Sequence, residues 1–316
     1  MRLFFVAFCS FFFLQANIYA QQKIPLQGVF LTRDGVRIYY NIQGSGPETV
    51  VVSGGFLTEE GLKPLAQARR VIFYDARGRG RSDSVKGVQV GLDHQVNDLE
   101  DLRKFMRLEK MTLLGWSGMG KEFAVYTVRY PNRVTRLIQV APVPPVAKDY
   151  MERMMNDRMK KVDEKALAEL RTKREAGTWK NDPEGYCRAE AKVLELTTFF
   201  DPTKAKAQPD VCKYPNEWPA NLGAYFETLI PSVEGVNLLP ELKNLNVKRL
   251  VIHGAEDSIP LEGARDWVTS LPNVCLFVIP QAGHWPFLEQ PEKFFDAVNV
   301  FLSGQWPKGA QGQNCS

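Results

Sequence analysis

Between residues 26 and 141 short apolar runs alternate with amphipathic ones. "GVFLT" and "VRIYYNI" flank Arg33-Asp34-Gly35, and the Asp-Gly step favours a tight hairpin between two strands. "TVVVSGG", "RVIFYD", "MTLLGW" and "RLIQVAP" follow, each a short β-rich run. The later runs are nearly all apolar, as expected of strands covered on both faces in a parallel sheet. Between them "HQVNDLEDLRKFMRL" sets Val96, Leu99, Leu102 and Met106 on one helical face. The same rhythm returns in "VKRLVIHG" and "NVCLFVIP", and a closing helix "PEKFFDAVNVFL" carries Pro291 in its first turn. The alternation predicts an α/β protein with a mostly parallel, doubly wound sheet.

Residues 145–240 break this rhythm. The stretch is polar, rich in Lys, Glu and Met, and holds no convincing strand. "KDYMERMMNDRMKKVDEKALAELRTKREAG" reads as one helix ending near Gly177, and "PEGYCRAEAKVLELTTFF" as another. The expected organisation is a core in two halves, 21–144 and 241–306, with 145–240 inserted as a helical cap and 307–316 as a flexible tail. Met151, Met155 and Met159 share a helix face. They are expected to pack the insertion onto the core, the alternative being the wall of an adaptable substrate pocket.

Composition is that of a globular protein, 44% hydrophobic and 24% charged, and 316 residues allow one large domain with an insertion. A formal charge of +4, with one short basic cluster at Arg77–Arg81, gives no reason to expect nucleic acid as a partner. The N-terminus stands apart: one basic residue, an apolar run from Leu3 to Leu14, then Ala20. This is the layout of a secretory signal peptide over residues 1–20, implying a secreted or periplasmic location. The run, about a dozen residues, falls short of the roughly 20 a membrane span requires, and no later segment reaches that length. Export permits disulfides. Cys187 and Cys212 lie in the same polar region, but spacing alone does not settle whether they pair. Cys275, in a strand-like run, reads as a buried free thiol.

"LGWSGMGK" places Ser117 at a strand-to-helix junction, where a serine flanked by small residues suggests a nucleophile. A serine hydroxyl needs a base, usually histidine. The chain has three histidines. His94 opens an amphipathic helix, and His253, ending a strand before Gly254, reads as a packed structural residue. His284, in the loop "PQAGHWPFLEQP", is the one whose surroundings suit catalysis. The imidazole in turn needs a carboxylate. Asp257 in "VIHGAEDSIP" is preferred over its neighbour Glu256. Backbone N–H donors for an oxyanion are expected from Gly118 and from Gly55 or Phe56.

Those segments carry a resemblance to the α/β-hydrolase superfamily over nearly the whole chain past the leader. "VVVSGGFL" resembles its oxyanion loop and "FYDARGRGRSD" its Asp-x-Arg-Gly-x-Gly-x-Ser turn. "GWSGMG" resembles its nucleophile elbow, "HGAEDSIP" its acid loop and "AGHWPFLEQP" its histidine loop. The resemblance implies the α/β-hydrolase fold, with Asp75, Arg77, Gly78 and Gly80 shaping a bend beside the site. Ser53 departs from the histidine that usually opens the oxyanion loop. Met119 replaces a small residue two places past the nucleophile and must find space between helix and strand, with Gly118 and Gly120 on either side providing room. Serine at the elbow argues against the branches that place aspartate there.

"YPNEWP" resembles the prolyl aminopeptidase branch, whose caps bind a peptide's free amino terminus through acidic residues. Glu217 is the matching residue, with Glu190, Glu195 or Glu227 as helpers, and Trp116 is a further substrate-binding candidate. The oxyanion loop lacks that branch's Gly-Gly-Pro-Gly, so a carboxylesterase or lactonase stays open, as does a non-catalytic binding protein of the same fold. The expected substrate is a small ester or a short peptide. No metal or organic cofactor is implied, since no histidine pair has ligand spacing and no phosphate loop occurs. The sequence is silent on oligomeric state.

Overall fold

The computed structural model describes residues 24–214, 216, 217, 225–269 and 271–315; the expected export signal lies outside them. Eight strands form one sheet in the order β1-β2-β4-β3-β5-β6-β7-β8. They are β1 (Gln27–Leu31), β2 (Arg37–Gln43), β3 (Thr49–Ser53), β4 (Arg70–Tyr74), β5 (Met111–Trp116), β6 (Val134–Val140), β7 (Lys248–Gly254) and β8 (Val274–Ile279). β2 runs antiparallel to both β1 and β4, and every other pairing is parallel. The β1–β2 hairpin turns as its Asp-Gly step requires: Thr32 N–H donates to the Val36 carbonyl, and Gly35 takes a φ of 86°.

Unbroken apolar strands bury both faces because successive side chains point to opposite sides. Val51 enters one core, while Val50 and Val52 enter the other. Helix α2 (Leu92–Phe105) lays Val96, Leu99 and Leu102, with Met106 just past its end, into the first core. The helix Pro291–Leu302 lays Phe294, Val298 and Phe301 into the second.

Between β6 and β7 the described residues form helices and turns. The long helix expected over 148–177 is two, α4 (Lys148–Met159) and α5 (Glu164–Glu175). The periodicity runs through the break, but Asp163 stops the first helix and caps the second, its carboxylate accepting from Ala166 N–H at 3.0 Å. Helix α6 (Pro183–Leu194) follows, and a Cys187–Cys212 disulfide ties it to the turn at Val211–Lys213.

Two expectations about the C-terminus are corrected. Cys275 is not a free thiol but is bonded to Cys315. The expected flexible tail is anchored at Gln311, which exchanges two backbone hydrogen bonds of 2.8 Å with Leu276 of β8. Local sequence could not show this, because the partners lie 40 residues apart.

The junction of β5 with helix α3 (Gly118–Arg129) is a close backbone approach beside the site. A Cβ on Gly115 would lie 2.6 Å from the Met119 carbonyl oxygen and 2.8 Å from the Gly120 Cα. A Cβ on Gly120 would lie 3.0 Å from the Gly115 oxygen. Strand and helix touch through backbone alone. Gly115→Ala is expected to cost about 1–3 kcal/mol by overpacking, seen as a lower urea midpoint with an unchanged m-value. An unchanged midpoint would mean that the two backbones have slack.

Candidate active site

Ser117 stands between β5 and α3 at φ 57° and ψ −128°. This backbone region is costly for a residue with a side chain, about 1–3 kcal/mol. It is held from three directions: Ser117 N–H donates to the Val140 carbonyl at 2.8 Å, while its own carbonyl accepts from Gly120 N–H at 3.0 Å and Val143 N–H at 3.3 Å. The Met119 side chain does not enter the strand–helix contact, which its backbone carbonyl shares. Its sulfur reaches over Gly54, 2.7 Å from where a Cβ would stand there, so the methionine joins the cavity wall.

The loops after β5, β7 and β8 bring Ser117, Asp257 and His284 together at the carboxyl edge of the sheet, where ligand crevices form in doubly wound folds. His284 Nε2 lies 3.0 Å from Ser117 Oγ, and its Nδ1 lies 3.0 and 3.1 Å from the two Asp257 oxygens. A carboxylate on Nδ1 fixes the tautomer in which Nε2 accepts the serine proton. Burial pushes the Asp257 carboxyl upward, but the His284 ring outweighs it, helped by His253 and the Ile259 N–H, and holds the group below the ordinary range. Glu256 is exposed and accepts from Ala282 N–H.

Of the other histidines, His253 lies behind Asp257, with Nε2 3.8 Å from Oδ2, and His94 lies apart. His253 is wholly buried, with Nε2 3.0 Å from the Ile259 carbonyl, and burial lowers its pKa. His94 sits beside Arg77, with Nδ1 3.2 Å from the guanidinium.

Three expected binding residues have more specific surroundings than their types suggested. Phe56 N–H is engaged, donating to Asp75 Oδ1 at 2.8 Å, which removes it as an oxyanion donor in this conformation. Gly55 N–H has no acceptor among the described residues, and Gly118 N–H opens α3 with no carbonyl four residues back. Trp116 lines the cavity with its ring, but its indole N–H donates to the His284 carbonyl at 2.7 Å, so its polar edge positions the histidine loop. Glu217 lines the cavity, but its carboxylate is already engaged. Its carboxylate accepts from Arg79 Nε and Nη2, the latter at 2.6 Å, and from Gly80 N–H at 2.8 Å. With its charge already matched by a guanidinium, it ties the helical segment to the arginine turn and holds no open charge for an ammonium. Glu190 lines the cavity and accepts from the Tyr186 hydroxyl; Glu227 is exposed, and the Glu195 side chain lies outside the described structure.

Sequence reasoning passed over Glu289 and Thr198. The Glu289 carboxylate accepts from the N–H groups of Gly283, Phe200 and Asp201 at 2.6, 2.8 and 3.0 Å. The Thr198 carbonyl accepts from His284 N–H at 2.8 Å, and its hydroxyl bonds the Trp285 indole. The glutamate in "HWPFLEQP" was a visible signal, but two of its three partners, 88 and 89 residues earlier, were not.

A cavity of about 1040 Å³ opens over Ser117 and His284. Met151, Met154 and Met155 line it; Met151 also packs against the core as expected, while Met155 and Met159 are both exposed. Among the described residues no cluster of three or more His, Cys, Asp or Glu side chains is placed to hold a metal, and no helix is long and apolar enough to cross a membrane.

Glu122, in the second turn of α3, also faces this cavity and was not anticipated. Burial pushes its carboxyl up to about 7, with Arg79 opposing in part. A carboxyl raised above its unfolded value favours folding fully below the unfolded pKa, and that contribution is lost as pH rises through the folded pKa. Glu122→Gln is therefore expected to raise Tm at pH 8 and to change it little near pH 4. A variant less stable than wild type at pH 8 would show that the ionised carboxylate is favourably held.

The model of the alpha/beta hydrolase family matches residues 49–297. The proline iminopeptidase of Heyndrickxia coagulans is 24% identical over 276 residues, spanning 84% of this chain and 93% of that protein. The pimeloyl-[acyl-carrier protein] methyl ester esterase of Nitrosomonas europaea is 26% identical over 284 residues, spanning 83% of this chain and 99% of that protein. An alpha/beta fold family hydrolase from Bacillus anthracis str. Sterne superposes with a TM-score of 0.66 at 21% identity, covering 86% of this chain and 98% of that one. A family match running from β3 into the last helix leaves one assignment: this chain belongs to the alpha/beta hydrolase family.

Proposed function

We propose that this chain is a serine hydrolase that cleaves ester or amide bonds through an acyl-enzyme. The observation that carries the reading is the continuous contact from Ser117 Oγ through His284 to the buried Asp257. Ser117 Oγ attacks the carbonyl carbon as its proton passes to His284 Nε2. The oxyanion accepts from Gly118 N–H and Gly55 N–H. On collapse the bond to the leaving group breaks, and His284 returns the proton to the departing alcohol or amine. Water then enters by the same route, releasing the acid and restoring the serine. Asp257 orients the imidazole and stabilises its charged form.

Within this chemistry the esterase reading is favoured over aminopeptidase, because Glu217 is paired with Arg79. The helical segment between β6 and β7 acts as the cap, since its residues Met151 to Glu234 supply much of the cavity wall. Export to a secreted or periplasmic location is supported by the N-terminal pattern and by two disulfides, which persist in oxidising compartments.

Fluorophosphonate should label the purified protein and fail to label Ser117→Ala; equal labelling of both would remove Ser117 from the reaction. Asp257→Asn is expected to lower kcat by about 10⁴-fold through loss of the correct tautomer, read on short nitrophenyl esters. Glu217→Gln should leave the ratio of prolyl-nitroanilide to nitrophenyl-ester turnover unchanged. Selective loss of anilide turnover would instead establish the aminopeptidase reading.

A further inference from the structure

Helix α3 is buried from Gly120 through Thr127, and in that stretch Glu122 is only 5% exposed. It makes no hydrogen bond and no ion pair with any described residue. Arg79, whose charge it feels, gives its Nε and Nη2 to Glu217. A carboxyl so little exposed and without a protein partner is costly once water is displaced from the cavity, and an apolar residue would serve the helix better. The side chain is nevertheless on the wall of the cavity that also holds Ser117 and His284. Neither packing nor an internal hydrogen bond accounts for a glutamate at this position. A partner that arrives with the substrate does.

We infer that Glu122 is a specificity-determining residue that accepts a hydrogen bond from an O–H or N–H group on the substrate, whose remaining body is apolar. This rests on the serine-hydrolase reading of the same cavity. The surroundings narrow the class further. Phe56, Leu57, Trp116, Met151, Met154 and Leu194 give the wall a largely apolar surface. Its charged groups are five glutamates against two arginines, a balance that repels carboxylates and tolerates neutral or cationic groups. The substrate is therefore an uncharged or amine-bearing ester or amide, not one carrying a second carboxylate. A donor held by Glu122 would orient the scissile carbonyl over Ser117 from the same helix that presents the serine.

The test uses p-nitrophenyl esters of short and medium acyl chains in four forms: unsubstituted, or ending in a hydroxyl, an amine or a carboxylate. Wild type should prefer a hydroxyl- or amine-bearing ester over the unsubstituted one in kcat/KM and turn over the carboxylate form worst. Glu122→Leu should lower the ratio of the preferred ester to the unsubstituted one by about 10-fold or more, the scale of one lost buried hydrogen bond to a charged or polar partner. Glu122→Gln separates the two donors. It should retain the ratio when a hydroxyl is recognised, since an amide oxygen still accepts, and lose it when an ammonium is recognised, since the charge is gone. Fluorophosphonate labelling of each variant reports a folded, reactive serine independently of selectivity. Wild type that does not label overturns the serine-hydrolase reading itself. Variants that label but keep the wild-type ratio on every pair overturn the role of Glu122, as does a wild type with no preference for either donor.

Discussion

The site depends on one steric constraint: β5 and α3 meet backbone to backbone at Gly115 and Gly120. Because no side chain intervenes there, the chain can turn sharply enough to leave Ser117 at a positive φ, raised on the bend instead of buried along the strand. The hydrogen bonds to Val140, Gly120 and Val143 then hold a conformation the serine would not choose alone. Displacing the turn would alter at once the serine's distance to the imidazole and the direction of the Gly118 N–H. The unusual methionine of the elbow is accommodated because only its backbone carbonyl, with Gly120, makes the close contact, leaving the Met119 side chain on the cavity side.

Much of this was legible in the chain. The strands that build the parallel sheet announce themselves because both faces are covered, so composition and burial agree along each run. His284 and Asp257 could be singled out because histidines are scarce and each loop follows a strand. What resisted reading depended on distant partners. Nothing local to Glu217 reveals that Arg79 lies across from it, and nothing near Phe56 reveals that Asp75 takes its N–H. The break between α4 and α5 was obscured for a different reason. The Lys- and Glu-rich periodicity continues through it, and a single capping aspartate overrules the propensity.

The helical segment and the histidine loop form one mechanical unit. Thr198 and Glu289 bind them through four hydrogen bonds between the stretch 198–201 and residues 284–289, including one from the backbone of His284 itself, and Glu289 also accepts from Gly283 N–H within the loop. Trp116 closes the arrangement by gripping the His284 carbonyl from the nucleophile strand. A change in the helices that cover the cavity is thereby transmitted to the base.

The C-terminal tail has an effect away from the cavity. Strand β8 is last in the sheet order, and a boundary strand with unpaired amides is a template for another chain. Gln311 occupies part of that template, and the Cys275–Cys315 bond keeps it there. The protein's own terminus thus shields the sheet from pairing with a neighbouring molecule. In a reducing environment the shield would loosen, so solubility as well as stability is linked to the oxidation state of these two sulfurs.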